Sequence, residues 1–216
     1  MRSMKKRNSY TYLILGFAIL IAIYISIKIA AKQTFWLDDK LADLFAYVPD
    51  TFNPFFLLLT ELGDKKGIGI VALIVLGWLL LIKRNFLGAA AITLSVALGN
   101  EVNKLLKDLI SRQRPDLDHL AHVDSLSFPS GHAMVGLICY FFIAYLVIEE
   151  LKSATAKKLV ILFTALLLLL IGASRIILQV HYPTDVIGGY AFGYIWVMLS
   201  IFIYKFFKKK LKYNRK

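Results

Sequence analysis

Residues 129–132 read Pro-Ser-Gly-His and stand directly before an apolar run that is typical of a membrane helix. Ser130 is a favoured residue for a helix N-cap, and Gly131 lets an anion approach the backbone amides at the positive end of the helix dipole. His132 follows at once, and histidine is the side chain that most often transfers protons in active sites. The stretch therefore predicts a cradle for a phosphate-sized anion with an acid–base group beside it.

Cations elsewhere in the chain could complete this anion site. Lys107 and Arg114 precede the cradle, and Arg175 follows it. Three cations that converge near membrane level need an anion between them, because an unpaired buried charge is costly. The planar fork of arginine also matches the geometry of phosphate oxygens. We therefore expect these three side chains to bind the phosphate that Ser130 and Gly131 cradle.

A second histidine could supply the nucleophile. His181 and Asp185 are four residues apart at the start of the last apolar run. The carboxylate can reach back to one ring nitrogen of His181, which fixes the tautomer and leaves the other nitrogen free to attack. The expected reaction is in-line attack on phosphorus, a phosphohistidine intermediate, and hydrolysis by a water that His132 activates after it has protonated the leaving oxygen. Since three fixed cations would stabilise the developing charge, no metal and no cofactor are expected.

The composition indicates what kind of chain positions these residues. Of the 216 residues 58% are hydrophobic, and the mean hydropathy is +0.66; soluble domains carry about 45–50% apolar residues. Six apolar segments come close to the ~20 residues that cross a bilayer as a helix, so the sequence predicts an all-α polytopic membrane protein. The segments are 11–31, 67–82, 86–106, 132–148, 158–177 and 184–204.

The region between the first two spans predicts a helix of another kind. Residues 35–48 alternate apolar and acidic side chains at helical spacing, which predicts an amphipathic helix at the membrane interface with Trp36 as its anchor. Because residues 54–62 are also apolar, the start of the second span is left open. At this length a single domain over residues 1–216 is expected.

Charged residues divide unequally between the two ends of the predicted spans. The end that holds both termini carries 16 of the 26 Lys and Arg residues but 2 of the 14 acidic residues. By the positive-inside rule this end is cytoplasmic, so the chemically active clusters face outwards from the cell membrane. The basic tail, residues 205–216, then has a role in topology and in contact with anionic lipid, and nucleic-acid binding is not expected.

Taken together, the three clusters resemble the motifs of the type 2 phosphatidic acid phosphatases, which are membrane lipid phosphatases related to the vanadium haloperoxidases. Those motifs are Lys followed after six residues by Arg-Pro, then Pro-Ser-Gly-His, then Ser-Arg followed after five residues by His and after three more by Asp. All eleven fixed positions match within a core of residues 107–185: Lys107, Arg114, Pro115, Pro129, Ser130, Gly131, His132, Ser174, Arg175, His181 and Asp185.

The resemblance implies the same roles as the chemistry of the residues. His181 would be the nucleophile, His132 the general acid and base, and Asp185 the group that orients His181. The family pattern assigns phosphate binding to Lys107, Arg114, Ser130, Gly131, His132 and Arg175. It also implies a six-helix fold and a membrane lipid as the substrate partner.

The lipid itself is not determined by the motifs, because they bind phosphate and not the tail. Resemblance to small bacterial members favours hydrolysis of phosphatidylglycerophosphate to phosphatidylglycerol and phosphate. Undecaprenyl pyrophosphate, phosphatidate and diacylglycerol pyrophosphate are alternative substrates. A lipid phosphotransferase and a non-catalytic lipid-phosphate binder or transporter are alternatives of other classes, and the oligomeric state is left open.

Four polar residues outside the motifs receive no assigned role from the sequence. Glu101 is an acid late in the third predicted span, and Arg112 adds a cation close to Arg114. His119 and His122 lie among acidic residues in the segment 116–124, where we favour a solvated loop over a metal site.

Overall fold

The computed structural model describes residues 2–213, with side chains from residue 10 onwards. The basic side chains of residues 2–7 and the end of the basic tail, residues 214–216, lie outside this part. Within it the chain forms helices and no strand, which confirms the all-α prediction. The helices are α1 (Arg2–Ala30), α2 (Trp36–Ala46), α3 (Asn53–Glu61), α4 (Lys65–Gly77), α5 (Phe86–Ile110), α6 (Gly131–Glu150), α7 (Ala154–Ile177) and α8 (Pro183–Tyr213).

Five helical segments of the described chain are long and apolar enough to cross a membrane. They are Tyr10–Ala30, Lys65–Ile82, Gly131–Glu150, Ala154–Ile177 and Pro183–Tyr213, the second of which includes a π-helical turn after α4. The multi-pass membrane fold is therefore confirmed, while the count of six spans is approximate. The remaining predicted span is α5, which has 25 residues but carries polar and charged side chains in its second half.

Helix α5 turns a narrow face of small and polar side chains towards the bundle. From Ala89 onwards its buried residues recur every three or four positions, as expected for one face of a helix. The full set is Gly88, Ala89, Ile92, Ser95, Gly99, Asn103 and Lys107. The helix packs against α6 and α8 along this face. The polar half of α5 therefore brings Lys107 to the end of the bundle.

The loop between the first two spans folds into two short helices. Helix α2 confirms the predicted helix over 35–48, and Trp36 is exposed. Its neighbour Asp38, however, is buried against the start of α8, so α2 is fastened to the bundle by a charged residue. The apolar stretch 54–62 is largely α3, a helix separate from the span.

The second span begins at α4. Asp64 is its N-cap residue and accepts a hydrogen bond from the backbone amide of Lys66 at 3.3 Å. This cap explains why the apolar residues before it do not extend the same helix.

Helix α6 lies at the centre and packs against α5, α7 and α8. Two glycines allow α8 to approach it closely, as small residues do between membrane helices. A Cβ atom on Gly189 would lie 2.8 Å from the carbonyl oxygen of Ser130, and one on Gly193 would lie 2.7 Å from that of Met134. The backbone amide of Ser130 also donates to the carbonyl of Asp185 at 3.0 Å. The first turns of α6 and α8 are thereby held side by side.

The two ends of the bundle differ in chemistry. The starts of α6 and α8 and the ends of α5 and α7 carry the three motif clusters to one end. At the other end, Lys83 pairs with Glu150 at 2.5 Å and Lys208 pairs with Glu149 at 2.8 Å. The arrangement separates the motif residues from the basic tail by the length of the bundle.

The contact between α6 and α8 leads to a first prediction. Gly189→Ala should destabilise the folded protein by about 1–3 kcal/mol, because the added methyl group meets backbone and the helices must move apart. Thermal unfolding in detergent would measure this as a lower Tm. Gly69→Ala is the matched control, since a Cβ there has no neighbour within 4 Å. A Tm for Gly189→Ala as high as that of the control would contradict the proposed contact.

Candidate active site

A cavity of about 500 Å³ opens at the end of the bundle that carries the motifs. Of the residues predicted for the site, Lys107, Arg114, Gly131, His132, Arg175 and His181 line it. Ser130 and Asp185 are fully buried and do not contribute to the lining. The structure therefore brings all three clusters together around one space.

Lys65, Asp64 and Asp124 line this cavity together with the three motif cations, and those three cations have neutral partners. Arg114 donates to the carbonyl oxygens of Ser125 at 2.6 Å and Val180 at 2.5 Å, and Lys107 donates to that of Leu126. Within the described residues, none of the three cations forms an ion pair with a carboxylate. Burial lowers the pKa of the Arg114 guanidinium from its usual value, because a charge in the protein loses its hydration. The cavity is thus a positively charged space suited to an anion.

Arg175 and Ser130 each leave a polar atom without a partner. Arg175 donates through Nη1 to the Thr60 hydroxyl at 2.6 Å, but its buried Nε has no hydrogen-bond partner among the described residues. The buried Oγ of Ser130 is unpartnered in the same sense. Unsatisfied buried polar groups are rare because each costs free energy, so the Nε atom of Arg175, a residue that lines the cavity, is consistent with a polar ligand in the site.

Ser130 lies at the predicted N-cap position, but its side chain does not form a capping hydrogen bond. It is the N-cap residue of α6 and has an extended backbone. Gly131 lines the cavity, and a Cβ on it would approach the side-chain oxygen of Asn103 to 3.2 Å. Asn103 in turn donates to the carbonyl of Pro129 at 3.2 Å, which holds the cradle against α5.

The interaction between His181 and Asp185 is less direct than the sequence suggests. Nδ1 of His181 lies 3.5 Å from Oδ2 of Asp185, which is longer than a normal hydrogen bond. The hydroxyl of Ser127 donates to this carboxylate oxygen at 2.5 Å and lies 3.3 Å from Nδ1. Because the Ser127 proton is used on Asp185, its oxygen can accept a hydrogen from Nδ1. Ser127 therefore links the two residues that were expected to bond directly.

This arrangement determines which nitrogen of His181 is free. With the hydrogen on Nδ1, Nε2 carries the lone pair, and Arg114 Nη1 lies 3.3 Å from it. Burial is the largest influence on the imidazole and lowers the pKa of His181 to about 3, although Asp185 opposes the shift. His181 is therefore neutral near pH 7 and presents Nε2 as a potential nucleophile beside the cations.

Asp185 has a further partner that the sequence did not identify. Arg112 donates through Nη1 to Oδ1 of Asp185 at 2.7 Å and through Nη2 to Oδ2 of Asp38 at 2.7 Å. Burial alone would lower the pKa of Arg112, but the two carboxylates outweigh it and raise the pKa above the usual value. No sequence signal distinguished Asp38 from the exposed Asp39 beside it, or Ser127 from other loop serines.

The other polar residues singled out from the sequence lie at the edge of the site or away from it. Glu101 is exposed and pairs with Lys104 at 2.7 Å. His122 pairs with Asp124 at 2.7 Å at the cavity, and His119 donates to the carbonyl of Pro115 at 3.0 Å. No group of three or more His, Cys, Asp or Glu side chains in the described chain could hold a metal ion.

The chain is similar to known membrane phosphatases. A family model described as the PAP2 superfamily matches residues 88–211. Phosphatidylglycerophosphatase B of Bacillus subtilis is 41% identical over 112 residues, which are 51% of this chain and 53% of that protein. Lipid A 1-phosphatase of Rhizobium etli is 32% identical over 130 residues, which are 56% of this chain and 51% of that protein. The matched regions thus span about half the length of these curated relatives.

A solved structure extends the likeness to most of the chain. The crystal structure of a transmembrane PAP2 type phosphatidylglycerolphosphate phosphatase from Bacillus subtilis superposes with a TM-score of 0.78 at 28% sequence identity. The likeness covers 89% of this chain and 96% of that one. The structural likeness therefore extends beyond residues 88–211.

The unpaired cations of the cavity lead to a second prediction. Arg175→Gln should weaken the binding of inorganic phosphate by about 2 kcal/mol, or roughly thirty-fold, because a charged hydrogen-bond donor to the anion is lost. Isothermal titration in detergent would measure the Kd. Lys104→Gln is the control, since Lys104 is exposed and pairs with Glu101. Equal phosphate affinity in both variants would show that Arg175 does not bind the anion.

Proposed function

The chain belongs to the PAP2 superfamily, and on that basis we propose that it is a multi-pass membrane enzyme that hydrolyses lipid phosphate esters. The observation that carries the proposal is a cavity lined by both motif histidines and by the three motif cations, none of which forms an ion pair with a described carboxylate. A binding protein for lipid phosphate would need the cations alone. A nucleophile with a fixed tautomer beside them favours catalysis over binding.

We propose that the first chemical step is nucleophilic attack by His181. Nε2 of His181 forms a bond to phosphorus while the bond from phosphorus to the ester oxygen breaks in line with it. His132, which also lines the cavity, is in its protonated form when this step begins and gives its proton to the leaving oxygen. Lys107, Arg114 and Arg175 stabilise the negative charge that spreads over the phosphate oxygens. The products of this step are the lipid alcohol and a phosphohistidine.

The second step releases phosphate. A water molecule gives a proton to His132, now neutral, and its oxygen attacks phosphorus. The bond between phosphorus and Nε2 breaks, its electron pair returns to the imidazole, and inorganic phosphate leaves. Ser127 and Asp185 keep the hydrogen on Nδ1 of His181 throughout, and both histidines end in their starting protonation states.

Phosphatidylglycerophosphate is the substrate that we favour, with phosphatidylglycerol and phosphate as products. The support is the similarity to a curated sequence and to a crystal structure from Bacillus subtilis whose names state this activity, the crystal structure along most of the chain. The similarity to a lipid A 1-phosphatase indicates that related chains act on another lipid phosphate. Undecaprenyl pyrophosphate, phosphatidate and diacylglycerol pyrophosphate are therefore retained as alternatives. Transfer of the phosphoryl group to an alcohol is the alternative reaction.

From the charge distribution we propose that the termini are cytoplasmic in the cell membrane and that the cavity opens at the outer headgroup level. The ion pairs of Lys83 and Lys208 lie at the end of the bundle opposite the cavity, as this orientation requires. A single domain over residues 1–216 is likewise proposed.

The proposed reaction is tested by phosphate release from purified protein in detergent with EDTA. The lipids are phosphatidylglycerophosphate, undecaprenyl pyrophosphate and phosphatidate, each supplied without an acceptor alcohol. We expect release from phosphatidylglycerophosphate to be fastest and to persist in EDTA. His181→Ala should lower the rate by about 10³-fold or more, because the nucleophile is lost. A substrate labelled in its terminal phosphate should label the parent protein in rapidly quenched samples and should not label this variant.

His119→Ala is the matched control, because this histidine lies outside the cavity lining and bonds a backbone carbonyl. It should retain the parent rate. Persistent activity in His181→Ala would remove His181 from the role of nucleophile. Absence of phosphate release from every lipid, with transfer seen once an alcohol is added, would replace hydrolysis by phosphotransfer.

A further inference from the structure

We propose that Asp38 and Arg112 are positioning residues of the phosphatase reaction, acting on the nucleophile through Asp185 and Ser127. Neither residue belongs to the three motifs, and neither lines the cavity. The expected effect on catalysis rests on the proposed function. The positioning of the His181 side chain by these residues does not depend on it.

Arg112 is fixed from both sides. One nitrogen, Nη1, donates to Oδ1 of Asp185 at 2.7 Å and to the hydroxyl of Thr184 at 2.8 Å. The other, Nη2, donates to Oδ2 of Asp38 at 2.7 Å. The guanidinium also stacks on the ring of Tyr182, with its central carbon 4.0 Å from the ring centroid. A planar fork is suited to bridging two carboxylates, which a single ammonium group is not.

Asp38 ties this bridge to the start of α8. Its Oδ1 accepts the backbone amide of Thr184 at 2.8 Å, and its Oδ2 accepts the Thr184 hydroxyl at 2.9 Å. Thr184 directly precedes Asp185, so α2 holds the backbone from which the carboxylate projects. The side chain of Asp38 is only 6% exposed, so water does not replace these bonds.

The carboxylate of Asp185 is thereby fixed in rotation. Oδ1 accepts a hydrogen bond from Arg112. Oδ2 accepts one from the Ser127 hydroxyl at 2.5 Å and one from the backbone amide of Tyr182 at 2.9 Å. If Arg112 is removed, Oδ1 becomes a buried acceptor without a donor, and rotation towards another donor displaces Ser127. Since Ser127 is what contacts Nδ1 of His181, the loss would reach the nucleophile.

The backbone places Arg112 and Ser127 for this task. The amide of Ser127 donates to the carbonyl of Arg112 at 2.8 Å, which closes the loop between α5 and α6 at its two ends. The two side chains then reach opposite oxygens of one carboxylate. This backbone pairing explains how Arg112 and Ser127, which are far apart in the loop, reach the same carboxylate.

The experiment compares Arg112→Gln and Asp38→Asn with the parent in two measurements. We expect kcat for lipid hydrolysis to fall about 10- to 100-fold, as for a small misplacement of reacting groups, with KM within about twofold of the parent. Titration with inorganic vanadate and inorganic phosphate gives an activity-independent readout. Vanadate accepts a fifth ligand and imitates phosphorus under attack, so its Kd should rise about as much as kcat falls. The Kd of phosphate should stay nearly unchanged.

A double-mutant cycle separates positioning from a general effect on folding. When Arg112→Gln is added to the Asp185→Asn variant, kcat should fall less than about twofold below that of Asp185→Asn alone, because both residues act through the same carboxylate. Arg112→Lys should recover only part of the parent rate. Asp39→Asn and Arg84→Gln are the matched controls, since both side chains are exposed, and each should behave like the parent.

Different outcomes bear on different claims. A rise in KM or in the phosphate Kd with unchanged kcat, or equal losses with and without Asp185, would overturn the positioning role. If Arg112→Gln fails to fold, Asp38→Asn alone decides by the same criteria. If the parent hydrolyses no lipid, the proposed function fails, and the vanadate-to-phosphate comparison then decides whether Asp38 and Arg112 position His181.

Discussion

The buried negative charge of Asp185 is the constraint from which the arrangement of this site follows. Its carboxylate has no exposed surface, and a buried charge is stable only when ionic and hydrogen-bond partners replace water. Arg112, Ser127 and the amide of Tyr182 supply those partners. They come from both ends of one loop and from the start of α8, so a single charge determines how three parts of the chain meet.

The cavity on the other side of His181 has the opposite character. Lys107, Arg114 and Arg175 reach it with carbonyl and hydroxyl partners but without carboxylate partners in the described chain. The imidazole thus lies between a carboxylate paired with Arg112 and a cluster of cations that form no ion pair with a described carboxylate. An incoming phosphate would bring negative charge to these cations, and burial keeps His181, the nucleophile that we propose, neutral.

How much the sequence could predict depended on the range of the interactions. Hydropathy and helical spacing are local, so they located the spans, the helix over 35–48 and the end of the bundle where the motifs meet. The spacing of His181 and Asp185 placed them close together but not the Ser127 hydroxyl between them. Asp38 and Thr184 are 146 positions apart, and no local pattern reports such a contact. The span predicted over 86–106 is not among the five segments apolar enough to cross a membrane, because the second half of α5 carries charged residues, of which Lys107 lines the site.

The contacts that α2 and α3 make with the site also determine how much of the chain a graft of the site would need. The region that carries the family signature, residues 88–211, contains every motif residue but neither Asp38 nor Thr60, the partners of Arg112 and Arg175. A graft of this region onto another membrane scaffold would carry the reactive groups without two of the contacts that hold them. The structural unit that holds the site is therefore larger than the region matched by the family model, because it includes α2 and α3.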